Sequence, residues 1–161
     1  MNTQIHKRGT SEREYLLEHW PKVRAGLMAI VDAYPEDQLA YVPVKGGWTA
    51  GRIMLHISSA AEYWLHNGIL SDINVYKSGR STLENFPTLV DIRAYLTKEH
   101  QRTLGLLEHF DPANWYTGYQ FPDGYSYTPS WIFWHVLEHE IHHRGELSLI
   151  LGLLGQEGLD V

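Results

Sequence analysis

Four histidines fall within nine positions in the stretch HVLEHEIHHRGE, residues 135–146. They are His135, His139, His142 and His143. At about 100° per residue, His139 and His143 share one face of a helix, with His135 beside them and His142 at its edge. Helical residues four apart carry Cβ atoms about 5–6 Å apart. The spacing therefore allows His139 and His143 to bind one metal ion together.

A third histidine, His56 in GRIMLHISSAAEYW, lies on the apolar edge of another predicted helix. Three protein ligands that leave one coordination position open are typical of a catalytic metal site rather than a structural one. We therefore expect His56, His139 and His143 to bind a divalent metal ion. Imidazole ligands do not determine which ion is bound. We expect zinc or nickel, and iron, manganese and copper are also compatible with these ligands.

Three further side chains near these histidines could carry protons during a reaction. Glu146, about 20° from His139 on the same face, could be a fourth ligand, could hydrogen-bond a ligand, or could pair with a cation at the helix edge. Glu140, about 100° from His139, could act as an acid or base, or could form a local ion pair with Arg144. His142 could hydrogen-bond a ligand, line a pocket, or be inert.

Residues 139–143 also match HExxH, the signature of the zincin proteases. The metzincin extension of that motif fails, because Gly145 is one position early and Leu149 stands where the third histidine belongs. Glu157, the remaining downstream glutamate, falls after the predicted end of the helix. No strand pattern is available to bind an extended peptide. The sequence therefore does not indicate a zincin protease.

Four segments with helical periodicity of their apolar residues must position these side chains. They run from about residue 11 to 34, 49 to 66, 88 to 110 and 128 to 155. Thr49 and Thr128 are predicted N-caps, and TLVD at Thr88 resembles a capping box with Asp in place of Glu. Pro21 either kinks the first helix or marks its start. Glu99, near the apolar face of the third segment, could orient a metal histidine.

The predicted fold class is all-α, a four-helix bundle, and a helical domain with other connectivity is the alternative. The connections 35–48 and 67–87 are long enough for crossovers. YQFPDGYSYTP, before the last helix, predicts a small hairpin or a structured loop. Its neighbourhood is rich in aromatic residues that could wall a pocket over the metal or plug one end of the bundle: Tyr116, Tyr119, Phe121, Tyr125, Tyr127 and Trp131.

The last helix is also apolar on its outer side, where it carries Phe133, Trp134, Leu137, Ile141 and Leu151. A helix that is apolar on two sides must bury both. This pattern predicts a homodimer that buries Trp134 or Ile141, and cover by the long loops is the alternative.

Composition excludes several classes of protein. The 161 residues favour a single domain over 1–161, and a net charge of −6 without a basic cluster argues against nucleic acid or an anionic membrane as partner. The absence of cysteine excludes disulfides and thiolate nucleophiles from the chain itself. The N-terminal stretch has no apolar signal region and the longest apolar run is LSLILGLLG, so we expect a cytoplasmic protein.

His56 after WTAGRIML, together with the late HEIHHRGEL, resembles the DinB/YfiT-like proteins. The resemblance covers nearly the whole chain, including the tryptophan-led second helix and the C-terminal HxxxHRG. It implies a four-helix bundle, commonly dimeric, with a divalent metal held by His56, His139 and His143. The family often has glutamine where this sequence has Glu146. Some similar proteins are S-transferases or isomerases that use small thiols.

Two classes of function remain open. In the first, the protein is a metal-dependent enzyme whose open site activates a low-molecular-weight thiol or water against a small molecule, for S-transfer, isomerisation or hydrolysis. Such a thiol would have to be a cosubstrate, because the chain has no cysteine. In the second, the protein is a non-catalytic, dimeric binding or stress module in which the metal only staples the bundle.

Overall fold

The computed structural model describes residues 11–71 and 79–156. These residues form four long helices, α1 (Glu12–Ala33), α2 (Ala50–Trp64), α3 (Leu89–His109) and α4 (Pro129–Leu153). A two-stranded antiparallel sheet of β1 (Tyr119–Gln120) and β2 (Ser126–Tyr127) precedes α4. The predicted four-helix bundle with a small hairpin is confirmed. Glu157 lies outside the described residues, as do parts of the predicted domain 1–161 and of the connection 67–87.

α2, α3 and α4 begin at the caps that the sequence predicts, and α1 begins at a further cap, Ser11. At all four starts a backbone N–H group donates a hydrogen bond to the side-chain oxygen of the capping residue, which is Ser11, Thr49, Thr88 or Thr128. In α3, the Thr88 hydroxyl accepts a hydrogen bond from the backbone N–H of Asp91, and the Asp91 carboxylate accepts one from the backbone N–H of Thr88. The capping box with Asp in place of Glu is therefore confirmed. α1 begins well before Pro21 and continues through it, so this proline does not mark the helix start.

Each helix packs mainly against two others, so that the order around the bundle is α1, α3, α2, α4. Consecutive helices α1 and α2 therefore lie across the bundle from each other, as do α3 and α4. α2 and α3 both run from the same end of the core to the other, which requires the long connection between them. This is a crossover topology rather than a simple up-and-down one.

The outer side of α4 is buried more fully than the sequence pattern predicts. Because α4 lies between α1 and α2, Phe133, Leu137 and Leu151 are all buried within a single subunit. Burial of these residues of the outer side therefore does not require a second subunit. Trp134 is partly buried and stacks on Tyr15. The homodimer stays a prediction, and Ile141, 38% exposed, is the residue left to support it.

The core consists of two apolar clusters separated by a polar layer. All four helices contribute to both clusters; in α1, for example, Trp20 belongs to one and Leu27 to the other. Between the clusters each helix buries polar side chains instead. We call the following residues the polar layer: Arg24, Ser58, Glu99, Thr103, Glu140 and His143.

The end of α2 departs from a regular helix. Residues Leu65–Ile69 form a π-helical turn. This turn lies next to the buried Phe121 of the hairpin region, residues 119–127. A Cβ atom placed on Gly68 would lie 2.4 Å from the Phe121 ring, so this close approach requires glycine. No helix in residues 11–71 and 79–156 has the length and apolarity needed to cross a membrane.

Candidate metal centre

The three predicted ligands converge because α2, which carries His56, is a neighbour of α4, which carries His139 and His143. Nε2 of His139 lies 3.0 Å from Nε2 of His56 and 3.1 Å from Nε2 of His143. One nitrogen from each ring lies within 4.8 Å of the other two. The structure thus brings together the i, i+4 pair and the facing histidine that the sequence singles out.

The spacing of these nitrogens fits a shared cation. A neutral imidazole nitrogen has either one hydrogen or one lone pair, so Nε2 of His139 cannot form full hydrogen bonds to both neighbours at once. With metal–nitrogen distances of 2.0–2.1 Å, two nitrogens lie about 3.3 Å apart in a tetrahedral site and about 2.9 Å apart at right angles. The observed 3.0 and 3.1 Å fall between these values.

The three imidazoles are held in the neutral form that binds metals. Burial, together with the neighbouring His143 and His56, lowers the pKa of His139 to about 3. Burial also lowers the pKa of His56, with His143 and Arg52 acting in the same direction. For His143, burial lowers the pKa although Glu146 opposes the change. Protons therefore compete weakly with a cation for these nitrogens.

Glu146 hydrogen-bonds a predicted ligand. Its Oε2 lies 2.6 Å from Nδ1 of His143, which assigns the proton to Nδ1 and leaves the Nε2 lone pair facing the other two histidines. His142 is exposed, with Nε2 4.0 Å from the same carboxylate oxygen. His142, His143 and Glu146 form a second cluster of potential ligand atoms, but two of its three members are exposed.

Glu140 faces away from the histidine nitrogens. Nη2 of Arg24 lies 2.8 Å from its Oε2, and Nε1 of Trp20 donates a hydrogen bond of 2.9 Å to the same oxygen. The expected local ion pair with Arg144 is not the one that forms. At about 100° from His139, the Glu140 side chain points at α1, and at 1% exposure it needs a cation within the core.

Glu99 does not orient a metal histidine, contrary to the expectation from its place on α3. Its Oε2 lies 3.7 Å from Nη1 of Arg102 on the same helix. Burial, together with the nearby carboxylate of Glu62, raises the pKa of Glu99 to about 7, although Arg102 acts in the opposite direction. The reason is topological, because α3 lies across the bundle from α4, which carries two of the three predicted ligands.

Aromatic rings flank the centre on two sides. Trp48 meets the His56 ring edge-on, with centroids 4.8 Å apart, and stacks at 6.4 Å on His143. The guanidinium of Arg52 lies 4.1 Å from the Trp48 ring centroid. Trp48 was not predicted from the sequence as a site residue; its position directly before the N-cap of the helix that carries His56 was the available signal.

On the other side, His135 lies 6.4 Å from His139 and stacks at 4.6 Å on Trp131, centroid to centroid. The hairpin region serves mainly to close one end of the bundle. Phe121 is buried and packs 5.0 Å from Trp64, whereas the predicted pocket residues Tyr116 and Tyr125 are exposed.

Comparisons with known proteins place this geometry in context. Residues 19–147 match the sequence model of the DinB superfamily. The fold is similar to that of a DinB-like protein from Bacillus cereus ATCC 10987, with a TM-score of 0.73 and 20% identity over 92% of this chain and 96% of that one. The fold is also similar to that of a DinB-like protein from Bacillus subtilis, with a TM-score of 0.70 and 20% identity over 91% of this chain and 96% of that one.

A third similar structure is YfiT from Bacillus subtilis, described as a probable metal-dependent hydrolase with an unusual four-helix bundle topology. Its TM-score is 0.64, at 20% identity over 94% of this chain and 95% of that one. No curated protein sequence matches the chain at a significant level. At 20% identity these likenesses show a shared fold.

Proposed function

The chain belongs to the DinB superfamily, and on that premise we propose that it is a metal-dependent enzyme acting on a small molecule. The observation that carries the proposal is the convergence of one nitrogen each from His56, His139 and His143. A divalent ion bound there would supply positive charge that lowers the pKa of a coordinated water or thiol. Three neutral protein ligands leave that charge undiminished and at least one coordination position open.

The remaining residues of the site have roles that follow from their contacts. Glu146 holds the Nδ1 proton of His143 and so orients the ring. His142 is exposed beside Glu146 and can exchange a proton with a substrate that approaches from solvent. Trp48 covers His56 and His143 and limits water on its side of the site. No cysteine is present, so a thiol nucleophile would come from a cosubstrate.

Hydrolysis is the reaction we place first, and thiol transfer or isomerisation second. The description of YfiT as a probable metal-dependent hydrolase supports this order. The test is a screen of the zinc- and nickel-loaded protein against model esters, and against small thiols combined with electrophiles. His143→Ala serves as the matched control. Activity that is absent from the loaded protein, or equal in the control, would refute the enzyme proposal.

A non-catalytic module stapled by its metal predicts a different response to chelation. The two apolar clusters bury side chains from all four helices, so an enzyme of this fold should keep its helical circular dichroism when the metal is removed. Loss of the helical signal on chelation would favour the non-catalytic module, in which the metal holds the bundle together.

A further inference from the structure

The segment of α4 that carries the metal ligands has few buried contacts. Buried apolar side chains of α4 extend as far as Leu137 and resume at Leu147. Between these two residues the buried side chains are Glu140 and His143. His143 faces the candidate metal centre, so Glu140 is the buried side chain that links this part of α4 to another helix.

The link made by Glu140 is buried and joins three helices. Its Oε2 accepts hydrogen bonds from Arg24 and Trp20 of α1, and bonds that involve a charged group are stronger than neutral ones. Arg24 also donates from Nη1 to the carbonyl of Leu96 on α3 at 3.4 Å. The carboxylate is therefore held in one position in the core.

We propose that Glu140 is a positioning residue that sets the rotation of α4 and so aims His139 and His143 at His56. This inference rests on the proposed function, because it assumes that the three histidines bind a metal. An atom about 6 Å from a helix axis moves about 1 Å when the helix turns by about 10°. Metal ligands must be held to within about 0.5 Å, so a small rotation is enough to disrupt the site.

The same inference accounts for the match to HExxH. In a zincin the glutamate of that motif is the general base at the metal. Here the corresponding residue, Glu140, contacts Arg24 and Trp20 instead. The motif residues therefore share one helix but face two directions: the histidines face α2 and the glutamate faces α1.

The test uses the full chain titrated with Co²⁺, whose visible absorption reports the arrangement of its ligands. The test variant is Arg24→Met/Glu140→Leu, which removes both buried charges together. Replacing a buried ion pair by apolar residues is often neutral for stability, so the fold should survive. If this variant does not fold, Arg24→Met/Glu140→Met replaces it, because methionine adapts to irregular space.

The matched control is Tyr34→Phe. The hydroxyl of Tyr34, the residue that follows α1, donates to the carbonyl of Leu147 on α4 at 2.8 Å. This is another buried bond to α4, but it lies beyond the turns that carry His139 and His143. We expect the control to lower the melting temperature and to leave Co²⁺ affinity and spectrum unchanged. The Arg24/Glu140 variant should bind Co²⁺ about 10- to 100-fold more weakly, as when a group that orients a metal ligand is lost, with an altered spectrum.

Wild-type affinity and spectrum in the Arg24/Glu140 variant would overturn the positioning role while leaving the metal site intact. A different result bears on the proposed function itself. If the wild-type chain binds no Co²⁺, or binds it equally well as His139→Ala, then the three-histidine site is wrong and the positioning role falls with it.

Discussion

Glu99 should destabilise the folded protein when it ionises, and replacing it with glutamine should relieve that effect. The side chain is 1% exposed, and its Oε2 has no hydrogen-bond partner among the described residues. Arg102, at 3.7 Å, is too far for a hydrogen bond, and the Glu62 carboxylate is nearby. Burial thus raises the pKa of Glu99 from 4.5 to about 7.

The sign follows from proton linkage. The folded protein binds the Glu99 proton more tightly than the unfolded chain does. The protonated side chain therefore contributes its full stabilisation of the folded state below pH 4.5, and this contribution is lost as the pH rises toward 7. The difference between 7 and 4.5, at about 1.36 kcal/mol for each pKa unit, corresponds to about 3 kcal/mol. Most of that difference should appear between pH 5 and pH 8.

Urea unfolding of wild type and Glu99→Gln at pH 5 and pH 8 measures this effect. Glutamine imitates the protonated acid, so it should raise the free energy of unfolding by about 2–3 kcal/mol at pH 8 and by less than about 1 kcal/mol at pH 5. Glu108→Gln, at an exposed position of the same helix, should change little at either pH. If Glu99→Gln is destabilising at pH 8, the ion pair with Arg102 outweighs burial and the reasoning is refuted.

Three further predictions concern the metal site, the assembly and the core. Glu146→Gln should weaken metal binding about 10- to 100-fold in competition with a chromophoric chelator, because the His143 ring loses its charged hydrogen-bond partner. Unchanged affinity would show that Glu146 does not contribute to metal binding. The wild-type chain should scatter light as a dimer at micromolar concentration and Ile141→Glu as a monomer, whereas a monomeric wild type would contradict the homodimer. Gly68→Ala should lower the free energy of unfolding by about 1–3 kcal/mol, because the added Cβ would lie 2.4 Å from Phe121. Stability equal to wild type would mean that Phe121 can move away from the added methyl group at no cost.

Local chemistry explains why so much of the fold could be predicted. The caps at Thr49 and Thr88 act on backbone groups three residues away, so the sequence shows both partners of each bond together. The pairing of His139 with His143 depends only on helical spacing, and His56 follows from a periodic apolar face. These features require no knowledge of which helices are neighbours.

Long-range partners explain what the sequence could not indicate. Glu140 pairs with Arg24, which is 116 positions away along the chain, and a nearer cation at Arg144 was the obvious alternative. The same limit applies to Glu99, since its role depends on α3 lying across the bundle from α4. The burial of Phe133 and Leu137 within one subunit likewise follows from the order of the helices around the bundle.

The polar layer also bears on how the native protein opens. Because all four helices pass from one apolar cluster to the other through this layer, either half can loosen without exposing the apolar side chains of the other. Amide hydrogens on the two sides should then exchange with solvent through separate partial openings, each smaller than global unfolding. His56 and His143 lie at or beside the layer, so a bound ion would join α2 to α4 where the two halves meet. Metal loading should slow exchange in both halves and make their openings more nearly concerted.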